Sequence, residues 1–468
     1  MRIGSFEALS RAVVFLCVTQ FCAFTYGQTQ QKPAADERFV ESTRKTALRF
    51  LPLVQADAKD QNIVFSPLGF SFSAALLQNG ADETARKEIW GTFSFVADSP
   101  ADLNEQASNL KNRIVSPHSK ESAVTKKPVE NPQIGPPYVP APARTELTTT
   151  IAVNSSERYR PAFVKIAREK YGAELDAWRG VKVRQANGKP TLGTVALPAG
   201  LVAGMGQLDF VLINKVRAGC RWDGWRPSDG PTSGIYFKNG PPALRLPPPL
   251  RLPSAKPEPQ EEPKVVIAPK STFTIPGGAE VKVPLIEKKD TFAYYRGDGF
   301  QAVSTDCDKF SYNVFLPDEN RSLDWLERNL TPESIDELET HPQRAGMQVY
   351  MPEFRIEKER EFTKYLKALG MKYSFSKFSA FRQLLTNPAG AKLTKVGQKA
   401  YVKLDHNGIE AEAITYFGGV AGGVPMMRNL PPPPPMIVVN RPFLFTITDA
   451  ETHAILFMGA VHDPRVGK

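Results

Sequence analysis

Few residues in this chain have the type and spacing to do chemistry on their own. Five histidines are spread over 468 residues. None stands in a nucleophile elbow or at metal-ligand spacing, so no enzyme, no cofactor and no metal is expected. His341, His453 and His462 read as surface or structural residues. Of the four cysteines, Cys17 and Cys22 lie in an apolar N-terminal run. Cys220 and Cys307 remain, to pair or to stay free. Asn154-Ser155-Ser156, Asn320-Arg321-Ser322 and Asn329-Leu330-Thr331 are acceptors for N-linked glycans, a modification open only to an exported chain.

The N-terminus carries the layout of export. Arg2 and Arg11 precede the apolar run from Ala12 to Phe24, and small residues follow at Thr25 and Gly27. Residues 1–27 therefore read as a secretory signal peptide cleaved near Gly27, an uncleaved anchor being the alternative. No other segment is long enough to span a bilayer. The expected product is a secreted, extracellular protein, most simply a monomer. A net charge of +10 reads as a solvated basic surface. Without basic blocks alternating with aromatics, or zinc-finger spacing, no nucleic-acid partner is expected.

The elements that must position any site follow from periodicity. Phe39, Val40, Ala47, Leu48, Leu51 and Val54 recur at helical spacing over 36–58. A short apolar strand, Asn62 to Phe65, leads to Ser66-Pro67, a capping residue and a first-turn proline that open a helix stopping at Gly80. Leu147–Val153 and Leu208–Asn214 read as strands, and Pro161–Tyr171 reads as a helix. Beyond Thr272 strands dominate: Glu280–Leu285, Thr291–Tyr295, Tyr312–Leu316, Gly346–Met351, Ala400–Leu404, Pro435–Val439, Phe443–Thr448 and Ile455–Val461. One helix, Glu361–Leu369, ends at Gly370. Helices followed by strands, without βαβ alternation, indicate an α+β fold: helices packed on large mixed sheets. Pro-rich stretches at 116–144 and 239–264 read as surface insertions in one domain spanning 35–468.

Several motifs resemble the serpin family. Asn62-Ile63-Val64-Phe65-Ser66-Pro67, with Ala74-Ala75-Leu76 and Gly80-Ala81, is similar to the family's second-helix signature. Asn440-Arg441-Pro442-Phe443-Leu444-Phe445 and Ile455-Leu456-Phe457-Met458-Gly459-Ala460-Val461 are similar to its closing strands. Tyr171-Gly172-Ala173-Glu174, Trp222, Leu316-Pro317, Met351-Pro352-Glu353-Phe354 and Leu369-Gly370-Met371 stand between them in family order. The resemblance implies a serpin-like fold with an exposed reactive loop near the C-terminus, here 408–435. Cleavage of that loop by a protease is followed by its insertion as an extra strand in a large sheet, and the protease is trapped. The implied partner is an extracellular protease of serine type. The alternative is a non-inhibitory member acting as an extracellular binding, carrier or chaperone protein.

The resemblance also implies sites. The insertion hinge matches Gly408-Ile409-Glu410-Ala411-Glu412-Ala413-Ile414-Thr415. As a strand it would bury Ile409, Ala411, Ala413 and Thr415 and leave Glu410, Glu412 and Ile414 on the other face. Ile409 stands where small polar residues are usual, and is expected to impede the first step by overpacking. The bait bond falls by count at Gly422-Gly423, whereas Arg428-Asn429 would suit a trypsin-like protease. Sheet-opening control carries over to Ser66 and Asn214, with Gln398 at a usual histidine and Gly69 at a usual serine. Trp222 stands at the head of the sheet. His406 and Glu353 occupy the positions of a usual acid–lysine pair, either as a pH-sensitive latch or as two independently changed surface residues. The family's helix across the sheet is not found over Arg179 to Gly206.

Overall fold

The computed structural model describes residues 35–115, 144–154, 156–178, 208–222, 224–228, 272–411 and 435–465, with short strand pieces at 184–186, 189–192, 195–196 and 235–236. The helices are α1 (Ala35–Ala58), α2 (Pro67–Leu77), α3 (Glu83–Thr92), α4 (Pro100–Val115), α5 (Pro161–Tyr171), α6 (Leu323–Asn329), α7 (Pro332–Thr340), α8 (Thr363–Ala368) and α9 (Tyr373–Ser376). The first strands are β1 (Ile63–Phe65), β2 (Arg144–Asn154), β3 (Glu174–Trp178), β4 (Arg184–Ala186), β5 (Lys189–Leu192), β6 (Val195–Ala196), β7 (Phe210–Arg221), β8 (Arg226–Ser228) and β9 (Ile235–Tyr236). Then come β10 (Thr272–Thr274), β11 (Glu280–Lys282), β12 (Leu285–Gly297), β13 (Phe300–Cys307), β14 (Phe310–Pro317), β15 (Gln343–Pro352) and β16 (Phe354–Glu361). The last are β17 (Gly397–Asp405), β18 (Gly408–Ala411), β19 (Pro435–Val438), β20 (Phe443–Asp449) and β21 (Ile455–Val461).

Two large sheets organise the chain. A ten-stranded sheet runs β1-β21-β20-β14-β13-β12-β15-β19-β9, with β8 paired to β12. A six-stranded sheet runs β16-β17-β18-β7-β2-β3. The fold is the expected α+β arrangement, and the ladders are mixed: β15 and β19 are parallel while most neighbours are antiparallel. β20 and β21 are buried at every position; β21 reads as a nearly unbroken apolar run, while β20 also buries Thr446, Thr448 and Asp449.

Local chemistry sets the ends of the elements. Ser66 caps α2, its Oγ accepting from Gly69 N at 3.1 Å, with Pro67 in the first turn. α2 is buried nearly all round and lies against both β7 and β21, so it joins the two sheets. Gly172 ends α5 in a left-handed conformation, φ 55°. The expected strand Glu280–Leu285 is two: β11 stops at Lys282 and β12 starts at Leu285, because Pro284 has no N–H to continue a ladder.

A buried charge fastens α1 and α7 to the ten-stranded sheet. Glu339 accepts from Asn313 Nδ2 at 2.9 Å and lies 3.4 Å from Arg44 Nη2. Burial pushes its carboxyl up to about 7, against the pull of Arg44 and its hydrogen bonds. The folded state therefore holds this proton more tightly than the unfolded chain. The stability it contributes is fully present below about pH 4.5 and is lost as pH rises through about 7. Between about pH 6 and 8 the loss is about 1 kcal/mol. Urea midpoints of Glu339→Gln, which keeps the amide-sized group, should lack this slope. An unchanged slope would place its origin elsewhere.

Candidate functional site

The site is built around β18. β17 ends at Asp405, the chain turns over His406 and Asn407, and β18 returns antiparallel, with Asp405 opposite Gly408. Asn407 N donates to Asp405 Oδ1 at 2.8 Å, and Lys403 Nζ lies 2.7 Å from Asp405 Oδ2. Burial tends to raise the Asp405 carboxyl, but Lys403 and the Asn407 N–H outweigh it and hold it below the usual range. β18 also pairs with β7, Gly408 opposite Arg221 through Ala411 opposite Ala218. It thus stands between β7 and β17, which share no ladder among the described residues.

Gly408 has φ +149°, and a Cβ there would collide with the Cys220 carbonyl and lie 2.9 Å from Arg221 Cα. Only glycine lets the strand come this close to β7. Ile409 is 1% exposed, between Leu404 and Cys220 in the two ladders. In the seated strand the slot houses the whole Ile409 side chain. Glu410 is half-buried, opposite Lys403 and Gly219. Glu412, Ala413, Ile414, Thr415, Gly422, Gly423, Arg428 and Asn429 lie outside the described residues, as do the segment 1–27 and nearly all of both Pro-rich insertions.

At the head of the sheet, Glu353 Oε1 accepts from His406 N at 3.3 Å and meets its ring Nδ1 at 3.0 Å. These two residues are in direct contact. Trp222 Nε1 donates to Asp405 O at 3.1 Å, and its ring packs on Trp225 at 5.2 Å and Tyr312 at 6.1 Å. Cys220 and Cys307 are bonded, joining β7 to the end of β13 across 5.8 Å between Cα atoms. The sequence left that pairing open. Cys220 is also the ladder partner of Ile409, so the bridge borders β18.

Lower on the sheet, Ser66 and Gln398 meet through two bonds: Ser66 N donates to Gln398 Oε1 at 2.7 Å and Gln398 Nε2 to Ser66 O at 3.1 Å. Gly69 leaves room for this amide, since a Cβ there would lie 3.4 Å from Gln398 Nε2. Asn214 is not brought to either. Its Nδ2 donates to Thr149 Oγ1 at 3.0 Å, and its Oδ1 is buried without a hydrogen-bond partner among the described residues.

The stretch between β3 and β7 holds no helix among its described residues. β4, β5 and β6 form an antiparallel meander. Of the three asparagines in the glycosylation sequons, Asn320 and Asn329 are exposed, and Asn154 ends β2 half-buried. Among the described residues no three His, Cys, Asp or Glu side chains could hold a metal, and no helix is long and apolar enough to cross a membrane. Sequence reasoning missed Asp405, which takes bonds from Trp222 and Asn407 and pairs with Lys403. Its only signal was its place two residues before the conspicuous Asn-Gly turn.

Comparison with known proteins agrees with this architecture. The curated relatives include an uncharacterized serpin-like protein of Thermococcus kodakarensis, 29% identical over 200 residues, 42% of this chain and 45% of the relative. Rat neuroserpin is 29% identical over 203 residues, 41% and 48% of the two chains. The matched stretches thus span about half the length of these relatives. Among solved structures, human thyroxine-binding globulin complexed with thyroxine superposes with a TM-score of 0.64 at 16% identity, covering 92% of this chain and 100% of that one. A structure titled cleaved serpin 42Da gives 0.65 at 15% identity, with 92% and 99% covered. The family model for serpin (serine protease inhibitor) matches residues 41–187 and 268–464. That match covers most of the chain and includes β17 and β18, though not β7, so this chain belongs to the serpin family.

Proposed function

We propose that this chain is a secreted inhibitor of an extracellular serine-type endopeptidase, acting by cleavage and insertion of residues 408–435. The carrying observation is β18, already seated between β7 and β17 with its apolar residue inward. Continuing its two registers is chemically sensible. Glu412 would stand between Tyr401 and Arg217 on the outer face. Ala413 would stand between Ala400 and Val216, and Thr415 between Gln398 and Asn214. The Thr415 hydroxyl would then offer a donor to the buried Asn214 Oδ1 that lacks one. The chain supplies no catalytic group. The protease serine forms an ester with the carbonyl on the N-terminal side of the cut bond, and the new amine leaves on the other side.

Arg428-Asn429 is the bond that would suit a trypsin-like protease, and Gly422-Gly423 the bond reached by count. The meander β4–β6, standing where a helix was sought, favours a second reading as a non-inhibitory extracellular binding protein. Incubation with trypsin-like, chymotrypsin-like and elastase-like proteases, followed by a denaturing gel, separates the two. A complex that survives denaturation, with a released peptide starting at Asn429, is the expected result. Clean cleavage without a complex would remove the inhibitory reading.

A further inference from the structure

One stretch of the chain collects positive charge around an exposed ring. Residues 362–404 hold nine Lys and Arg and no Asp or Glu. Four of the nine, Lys364, Lys395, Lys399 and Lys403, are paired with carboxylates from outside the stretch. Lys367, Lys372, Lys377, Arg382 and Lys392 make no ion pair among the described residues. Lys392 is half-buried and the other four are exposed. Phe378 opens a short turn, Phe378–Phe381, in which Ala380 and Phe381 are buried. Phe378 itself is 52% exposed, the one aromatic among the large apolar side chains exposed in the described residues. Lys392 Nζ lies 4.6 Å from the centre of its ring. The backbone holds this group in place. Phe381 N donates to Ala391 O at 3.0 Å, and a Cβ on Gly390 would collide with the Phe378 carbonyl and lie 3.2 Å from Arg382 Cγ.

We propose that this face docks on an anionic phospholipid surface, with Phe378 entering the boundary between headgroups and acyl chains and Lys377, Arg382 and Lys392 meeting the headgroups. The charge is complementary because the nearest carboxylates are already engaged. Glu88 of α3 accepts from the backbone N–H groups of Lys372, Tyr373 and Ser374. Asp82 accepts from the Tyr373 hydroxyl, and Glu157 from Asn387 Nδ2. Cations near an anionic bilayer are each attracted to it, and an aromatic side chain among them adds apolar burial. A sulfated polysaccharide would satisfy the cations equally well. It offers no apolar layer to a phenyl ring that carries no polar atom, so the exposure of Phe378 favours the bilayer. The contact is peripheral and needs no spanning helix. The inference goes beyond the inhibitory reading and does not rest on it. The patch lies before the Gly397 end of β17, whereas residues 408–435 follow its Asp405 end, about 26 Å along the strand.

Co-sedimentation of the intact protein with vesicles tests the assignment. Vesicles of phosphatidylcholine containing about one-third phosphatidylserine should bind at least about ten-fold more tightly than phosphatidylcholine alone. Raising the salt from about 0.1 M to about 0.5 M should weaken that binding by more than about ten-fold. Lys377→Glu/Arg382→Glu/Lys392→Glu should weaken it by more than about 30-fold. Lys282→Glu/Lys289→Glu/Arg344→Glu changes the net charge equally, at exposed positions on β11, β12 and β15, and should change binding by less than about three-fold. Phe378→Ala should cost about five-fold while leaving the salt dependence as it was. Unchanged urea midpoints would show that the variants remain folded. Equal losses in the two triple variants would reduce the effect to overall charge and overturn the site. So would binding that Phe378→Ala leaves intact, or retention on a sulfated polysaccharide without binding to the vesicles. Failure of the protein to trap a protease would bear on the inhibitory reading alone, since vesicle binding involves no protease.

Discussion

Removing the Cys220–Cys307 bridge by a Cys220→Ala/Cys307→Ala substitution is expected to cost about 2–5 kcal/mol of stability. The partners are 87 residues apart, so the bridge closes a long loop, and chain entropy puts the cost toward the upper end of that range. Both residues are buried, Cys220 at 9% and Cys307 at 1% exposure, so the alanines also leave poorly packed space. The loss should not be uniform. β7 is one wall of the slot, and Cys220 sits opposite Ile409, so exchange protection in β18 should fall more than in β20 or β21. Urea denaturation of both proteins checks the first claim, and peptide-resolved exchange the second. A double variant as stable as the parent would show that the intervening chain is already constrained by its ladders.

The second large effect is expected at Gly408. At φ +149° an L-residue is strained whatever its size, and its Cβ would meet the Cys220 carbonyl, which is backbone and has nowhere to go. Gly408→Ala should therefore cost roughly 3 kcal/mol locally, the sum of an unfavourable backbone region and a clash. The described part of β18 is Gly408–Ala411, held by one ladder on each side. The cheaper response is for the strand to leave the slot rather than for the protein to unfold. Protection of residues 408–411 should fall by more than about ten-fold, while the global urea midpoint moves little. Unchanged protection would mean that β7 can retreat from β18, and the close approach would no longer explain the glycine.

The sequence was most legible where one physical signal dominates. The α5 boundaries follow from Pro161 and Gly172, and β20 and β21 follow from runs buried on both faces. The α2 cap was readable from Ser66-Pro67. The site was legible as a set of positions and less so as contacts. Gln398 does meet Ser66, but Asn214, placed with them by resemblance, bonds Thr149 on the neighbouring strand instead. His406 and Glu353 are 53 residues apart, and nothing in their spacing says that a turn and a strand end will face each other. Ile409 is a related case. Its volume was known, but the volume of the slot depends on Leu404 and Cys220, which only tertiary packing brings to its two sides. The cysteine pair remained undecided because two thiols at any separation can bond or stay apart until geometry is known.

The bridge has a further consequence for the covalent topology of the chain. It makes residues 220–307 a closed ring, and the Pro-rich insertion at 239–264 lies wholly within that ring. A cut between residues 221 and 306 therefore opens the ring without releasing a fragment. A cut in 116–144 or beyond Ala411 lies outside the ring and has no such tether. A nick in the second insertion would thus be invisible on a non-reducing gel and would divide the chain in two once the bridge is reduced. The two insertions, alike in composition, differ in what their cleavage does to the molecule.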